Sequence, residues 1–145
     1  MNNRYLDSGD ALNVGYVFPS MFKSVKREQL IQYSEASGDN NPLHLNDDFA
    51  KTTQFGGVIA HGMLTLAFVS ELLVRIFGAD WLRSGCLKVR FKGAAYLGDT
   101  LVVSGKVDQL ESVYEDVNLV CSVKVCKSEQ DIEILNGTAR LTMRG

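Results

Sequence analysis

The chain has 145 residues, 46% of them hydrophobic and 22% charged, with a formal net charge of −2. That length and apolar content support one domain, residues 1–145, with a closed core. The near-neutral charge excludes the basic footprint that nucleic acid binding requires. Ser70, Glu71 and Arg75 interrupt the longest apolar run before it reaches the roughly 18 residues of a membrane span, so a soluble chain is expected with no membrane partner.

The first ten residues include Asn2, Asn3, Arg4, Asp7 and Asp10 and lack the apolar stretch of a secretory signal, which leaves a cytoplasmic address as the expectation. Cys86, Cys121 and Cys126 form no C-x-x-C pair and read as core thiols. His44 and His61 are the only histidines and lack a metal-ligand spacing, so no metal is expected.

In chain order, Tyr16 to Phe22 reads as an edge strand. Ser24 is then placed to cap a helix whose apolar side is Leu30, Ile31, Tyr33 and Ala36, with Gly38 as its left-handed stop. Asn46 caps a second, short helix reaching about Thr53, its first turn carrying Asp47 and Asp48 at the positive end. Gln54 to Gly57 is a loop. From about Ala60 to Phe77 runs the longest helical pattern, apolar around nearly its whole circumference, which predicts a buried helix.

Beyond residue 85 the period changes to two. Leu87, Val89 and Phe91 alternate with Lys88, Arg90 and Lys92, and the same alternation recurs around Leu101 and Val103 and from Leu119 to Val125. Turns fall at Gly98-Asp99, after Ser112 and at Ser128 to Asp131, and Ile132 to Met143 closes the meander. One long buried helix followed by long antiparallel strands is an α+β layout in which the sheet curls around the helix, the arrangement of the hot-dog fold.

Chemistry concentrates in Ser37-Gly38-Asp39-Asn40-Asn41-Pro42-Leu43-His44. Asp39 and His44 are five apart, a spacing that a helix does not bring together. Pro42 forces Asn41 into an extended conformation, so the chain turns there and can bring both side chains to one point. A carboxylate and an imidazole placed so are suited to moving protons on and off water near neutrality. The addition of water to an α,β-unsaturated thioester needs such a pair, together with a donor for the charge that develops on the thioester oxygen. Gly62, at the start of the long helix beside His61, offers a backbone N–H of that kind. Spacing alone leaves plainer roles open: Asp39 as a turn carboxylate, His61 as a packing or capping residue, and Ser70 bonded back to its own helix.

The string from Ser37 to His44 resembles the (S/T)-G-D-x-N-P-(L/I/V)-H signature of the MaoC-like (R)-specific enoyl-CoA hydratases, of the stand-alone single hot-dog type. Val58-Ile59-Ala60-His61-Gly62-Met63-Leu64 resembles the same family's approach to its central helix, and the Gly85 to Tyr96 strand and the Gly98-Asp99 turn extend the likeness over most of the chain. The resemblance implies that Asp39 and His44 hold and activate water, that Gly62 supplies an oxyanion N–H with His61 beside it at the substrate, that Asn41 fastens the turn, and that Ser70 supports the catalytic pair.

It implies a lyase without a cofactor: reversible hydration of a trans-2-enoyl thioester to the (R)-3-hydroxyacyl thioester, or the reverse dehydration. Acyl-CoA is the expected partner, with acyl carrier protein as the other carrier, and a homodimer the expected assembly. Lys88, Arg90 and Lys92 suit either carrier's negative charge, although such a run is also an ordinary solvated face. A thioesterase on the same scaffold and a non-catalytic acyl-thioester-binding protein are the competing readings.

Overall fold

The computed structural model describes residues 12–145, so the expectation for Met1 to Asp10 lies outside the described residues. Strand β1 (Met21–Ser24) leads into helix α1 (Arg27–Ser37), a 3-10 turn at Pro42–His44, short helix α2 (Asp47–Lys51), long helix α3 (Gly62–Phe77) and helix α4 (Ala79–Ser84). Strands β2 (Cys86–Phe91), β3 (Thr100–Val113), β4 (Asp116–Lys127) and β5 (Glu133–Met143) follow. They form one antiparallel sheet in the order β1-β3-β4-β5-β2, so β1 and β2 are its edges. This is the expected α+β hot-dog layout, with α4 an addition that the pattern before residue 85 had not resolved.

Period-two burial makes the sheet. Leu101 and Val103 from β3, Leu119, Cys121, Val123 and Val125 from β4, and Leu135, Ala139 and Leu141 from β5 all face the core. They meet Phe68, Val69, Leu72, Leu73, Ile76 and Phe77 of α3. The register of the β3–β4 hairpin slips between Val107 and Gln109, and such a bulge bends a long hairpin, as wrapping around a helix requires.

Several expectations need correcting. The residue at the N-cap of α1 is Lys26, because Ser24 is still in β1, and Ile31 on the supposed apolar side is 44% exposed. The buried positions of α1 are Leu30 and Ser34. Helix α3 is not covered all round: Met63 is 56% exposed and Ala67 is open on the same side. Cys121 and Cys126 are core thiols, but Cys86 is exposed at the start of edge strand β2. No helix among the described residues is long and apolar enough to cross a membrane.

Candidate active site

The site begins where α1 stops. Gly38 takes φ 79, a left-handed conformation that a side chain would strain, and its N–H bonds to the Ser34 carbonyl at 2.9 Å. Three side chains then secure the turn in relay. The Asp39 N–H donates to Ser37 Oγ at 3.1 Å, the Asn41 N–H to Asp39 Oδ1 at 3.2 Å, and the Leu43 N–H to Asn41 Oδ1 at 3.0 Å. Asn41 is extended, as a residue before proline should be, and Pro42 opens the 3-10 turn that ends on His44. Asn41 thus fastens the turn through its side-chain oxygen.

Asp39 is exposed, whereas His44 is 9% exposed. His44 Nδ1 lies 2.7 Å from the Ile59 carbonyl oxygen. A carbonyl only accepts, so this contact places the proton of neutral His44 on Nδ1 and leaves an acceptor lone pair on Nε2. Ile59 is itself held by an isolated bridge to Tyr96, so the orienting carbonyl is anchored to the chain that leads into β3.

Behind His44 lies His61, the N-cap residue of α3, 1% exposed. The two imidazoles stack with centroids 3.9 Å apart and planes 27° apart, and the Tyr33 ring lies 4.7 Å from that of His61. His61 Nε2 is 3.0 Å from Ser34 Oγ and 3.3 Å from the Asp39 carbonyl oxygen, while its Nδ1 is buried without a partner among the described residues. Burial holds the His61 pKa below its ordinary 6.5, the neighbouring His44 acts in the same direction, and the Asp39 carbonyl and carboxylate oppose them. At this depth His61 faces protein groups: Ser34, the Asp39 carbonyl and the rings of His44 and Tyr33.

Ligand atoms of Asp39, His44 and His61 lie within 4.8 Å of one another. A metal ion does not fit this cluster well. Lone pairs lie in ring planes, and two stacked, nearly parallel rings direct theirs to meet only far from both nitrogens.

Gly62 and Met63 open α3, and neither amide N–H has an acceptor among the described residues, whereas Leu64 and Thr65 both bond to the His61 carbonyl. Gly62 is exposed, and a Cβ there would come 3.3 Å from the Phe91 ring, so glycine keeps this helix terminus open beside an aromatic. Ser70 sits elsewhere in the hydrogen-bond network: its Oγ accepts from Trp81 Nε1 of α4 at 3.0 Å. The turn therefore unites Asp39, Asn41 and His44, packing adds His61, and Ser70 serves the α3–α4 junction.

Ser34, Tyr33 and the Ile59 carbonyl are the parts that sequence reasoning missed. One signal for Ser34 was available: it stands one helical turn after buried Leu30, a hydroxyl on a buried stripe that must find a partner. Its distance from His61 is that of a nucleophile and its base, but Ser34 is only 2% exposed and is closed to an acyl group.

Comparison with known proteins adds four likenesses. The family model described as the MaoC like domain matches residues 19–128. An (R)-specific enoyl-CoA hydratase of Rhodospirillum rubrum is 32% identical over 107 residues, covering 72% of this chain and 74% of that protein. A 3-hydroxybutyryl-CoA dehydratase of Methylorubrum extorquens is 29% identical over 120 residues, covering 81% of this chain and 72% of its own length. Among solved structures, an R-hydratase of Pseudomonas aeruginosa in its unliganded form superposes with a TM-score of 0.76 at 27% identity, over 91% of this chain and 85% of that one.

Proposed function

The chain belongs to the MaoC-like domain family, and from that premise we propose that it reversibly hydrates trans-2-enoyl thioesters to (R)-3-hydroxyacyl thioesters, with Asp39 and His44 as the catalytic pair. The observation that carries this reading is the His44 Nδ1 contact with the Ile59 carbonyl, which leaves Nε2 as an acceptor near an ionisable carboxylate. Two acceptors side by side hold both O–H groups of one water and turn an oxygen lone pair outward.

In hydration the water oxygen bonds to C3 of the enoyl group. One hydrogen stays on the new hydroxyl, while the other passes through the Asp39–His44 pair to C2. As the bond forms, negative charge moves onto the thioester oxygen, and we assign the Gly62 N–H at the open α3 terminus as its donor. Dehydration is the same path reversed. No step calls for a cofactor.

CoA is the carrier we assign, because the names of the related (R)-specific enoyl-CoA hydratase and 3-hydroxybutyryl-CoA dehydratase specify it. Exposed Lys88, Arg90 and Lys92 suit its phosphates. We also assign a homodimer: β2 is a sheet edge with no further strand beside it among the described residues, and the uncovered Met63 and Phe91 give it apolar surface to bury beside Gly62.

The test is direct. Crotonyl-CoA mixed with the protein should lose its enoyl-thioester absorbance, and Asp39→Asn should stop that loss while binding persists. Binding without any loss by the unaltered protein would favour a non-catalytic carrier protein, and release of free CoA would favour a thioesterase.

A further inference from the structure

We propose that Ser34 and His61 are positioning residues for this reaction, a buried brace that fixes the Asp39 backbone and the plane of the His44 ring. The proposal rests on the hydratase reading but concerns two buried residues behind the catalytic pair. Three contacts meet on one imidazole: Ser34 Oγ at 3.0 Å and the Asp39 carbonyl at 3.3 Å, both to Nε2, and the stacked face of His44 at 3.9 Å between centroids. Each ties His61 to a different piece of the site. Ser34 belongs to α1, Asp39 to the turn after it, and His44 to the 3-10 turn, while His61 itself caps α3.

The carbonyl of Asp39 only accepts, so the brace has the His61 proton on Nε2, shared between that carbonyl and Ser34 Oγ. The opposite nitrogen is then a bare lone pair sealed in the interior, which matches the partnerless buried Nδ1. Leaving a buried polar atom unsatisfied is costly and uncommon. It is tolerated here because the other nitrogen makes two contacts that set the catalytic turn. Burial keeps His61 neutral, so its ring packs against His44 without opposing the charge His44 acquires on taking up a proton.

A carboxylate held from its own backbone and an imidazole held on its face are constrained where a merely local turn would leave them free. The Asp39 side chain is exposed and, among the described residues, accepts one hydrogen bond, from the Asn41 N–H. His44 is tethered at one nitrogen, about which its ring could still rock. The brace removes both freedoms. A misplacement of about 1 Å at such a pair lowers turnover by up to about a hundredfold.

Ser34→Ala, which removes one buried oxygen, and His61→Gln, which keeps a donor near the Nε2 position but removes the ring, test the brace. With crotonyl-CoA as probe, each should lower kcat by about tenfold or more and leave KM within about twofold, and the double variant should be no worse than the poorer single. Nitrogen-15 NMR of the imidazoles should find His61 protonated on Nε2, and Ser34→Ala should alter the signals of both His61 and His44. If crotonyl-CoA is hydrated and both variants turn over at the unaltered rate when folded, the brace is overturned and the hydratase reading stands. Should the unaltered protein fail to hydrate the probe, the hydratase reading falls. The brace is then judged by the imidazole signals alone, and indifference of His44 to Ser34→Ala overturns it.

Discussion

His44 and His61 lie face to face, 3.9 Å between ring centroids, although one ends a 3-10 turn and the other caps the longest helix. The pair divides its labour by exposure. His44 reaches the edge of the site with Nε2 available, and His61 lies behind it at 1% exposure.

Asp39→Asn and His44→Gln should each reduce hydration by at least about a hundredfold, the lower range for lost acid–base catalysis. Asn at position 39 keeps an oxygen to accept from the Asn41 N–H, so the thermal midpoint should hardly move. In the proposed mechanism both residues act on one water, so the double variant should be little worse than the poorer single. A folded single variant with unaltered kcat would remove that residue from the mechanism.

The product stereochemistry provides a separate check. In the proposed mechanism one water held by both groups delivers its oxygen to C3 and a proton to C2 from the same face, so addition in deuterium oxide should be syn and the alcohol (R). Chiral chromatography that returned the (S)-alcohol would be incompatible with the assigned pair.

Ser70→Ala should affect stability rather than rate. The hydroxyl accepts from the indole N–H of buried Trp81 in α4 at 3.0 Å, and removing it leaves that donor without its acceptor. A cost of about 1 kcal/mol, hence a drop of a few degrees in Tm, is expected with near-normal kcat. This differs from the supporting role that the family resemblance implied, and a large fall in kcat at unchanged Tm would restore that role.

Acid should destabilise the fold through His61. Its folded pKa lies below 6.5, so the unfolded chain binds the proton more readily. The contribution is complete above about 6.5, is lost as pH falls from there to the folded value, and is constant below it. Thermal midpoints measured from pH 7.5 downward should fall over that window, and less so in His61→Gln. Identical pH profiles for the two proteins would mean that His61 is not the group responsible.

Sedimentation at micromolar concentration should give about twice the 16.0 kDa chain mass. A monomer with full activity would show that the β2 edge and the open side of α3 have no part in the working enzyme.

Asp39, Asn41 and His44 were legible because their geometry is local: a left-handed glycine, two side-chain turns and a proline dictate it within a few residues. The Ser34–His61 contact was not, since it exists only once α1 packs against the start of α3, 27 residues further on. The same limit explains Ser70. Its place on a helix could be read, but its partner Trp81 belongs to α4, which the pattern had not resolved. For α3, apolar residues on every side indicated that something covers them, and did not distinguish the chain's own sheet, which covers Phe68 and Leu72, from whatever meets Met63.

The relay of bonds through Ser37, Asp39 and Asn41 has a thermodynamic consequence for ligand binding. Each link closes over two residues, so the turn is ordered by neighbours that are never far apart. In the proposed reaction a thioester arriving at Asp39 meets backbone that has already surrendered its freedom. The heat capacity change on binding a substrate analogue should therefore report burial of the acyl chain alone, with no added contribution from folding of the loop.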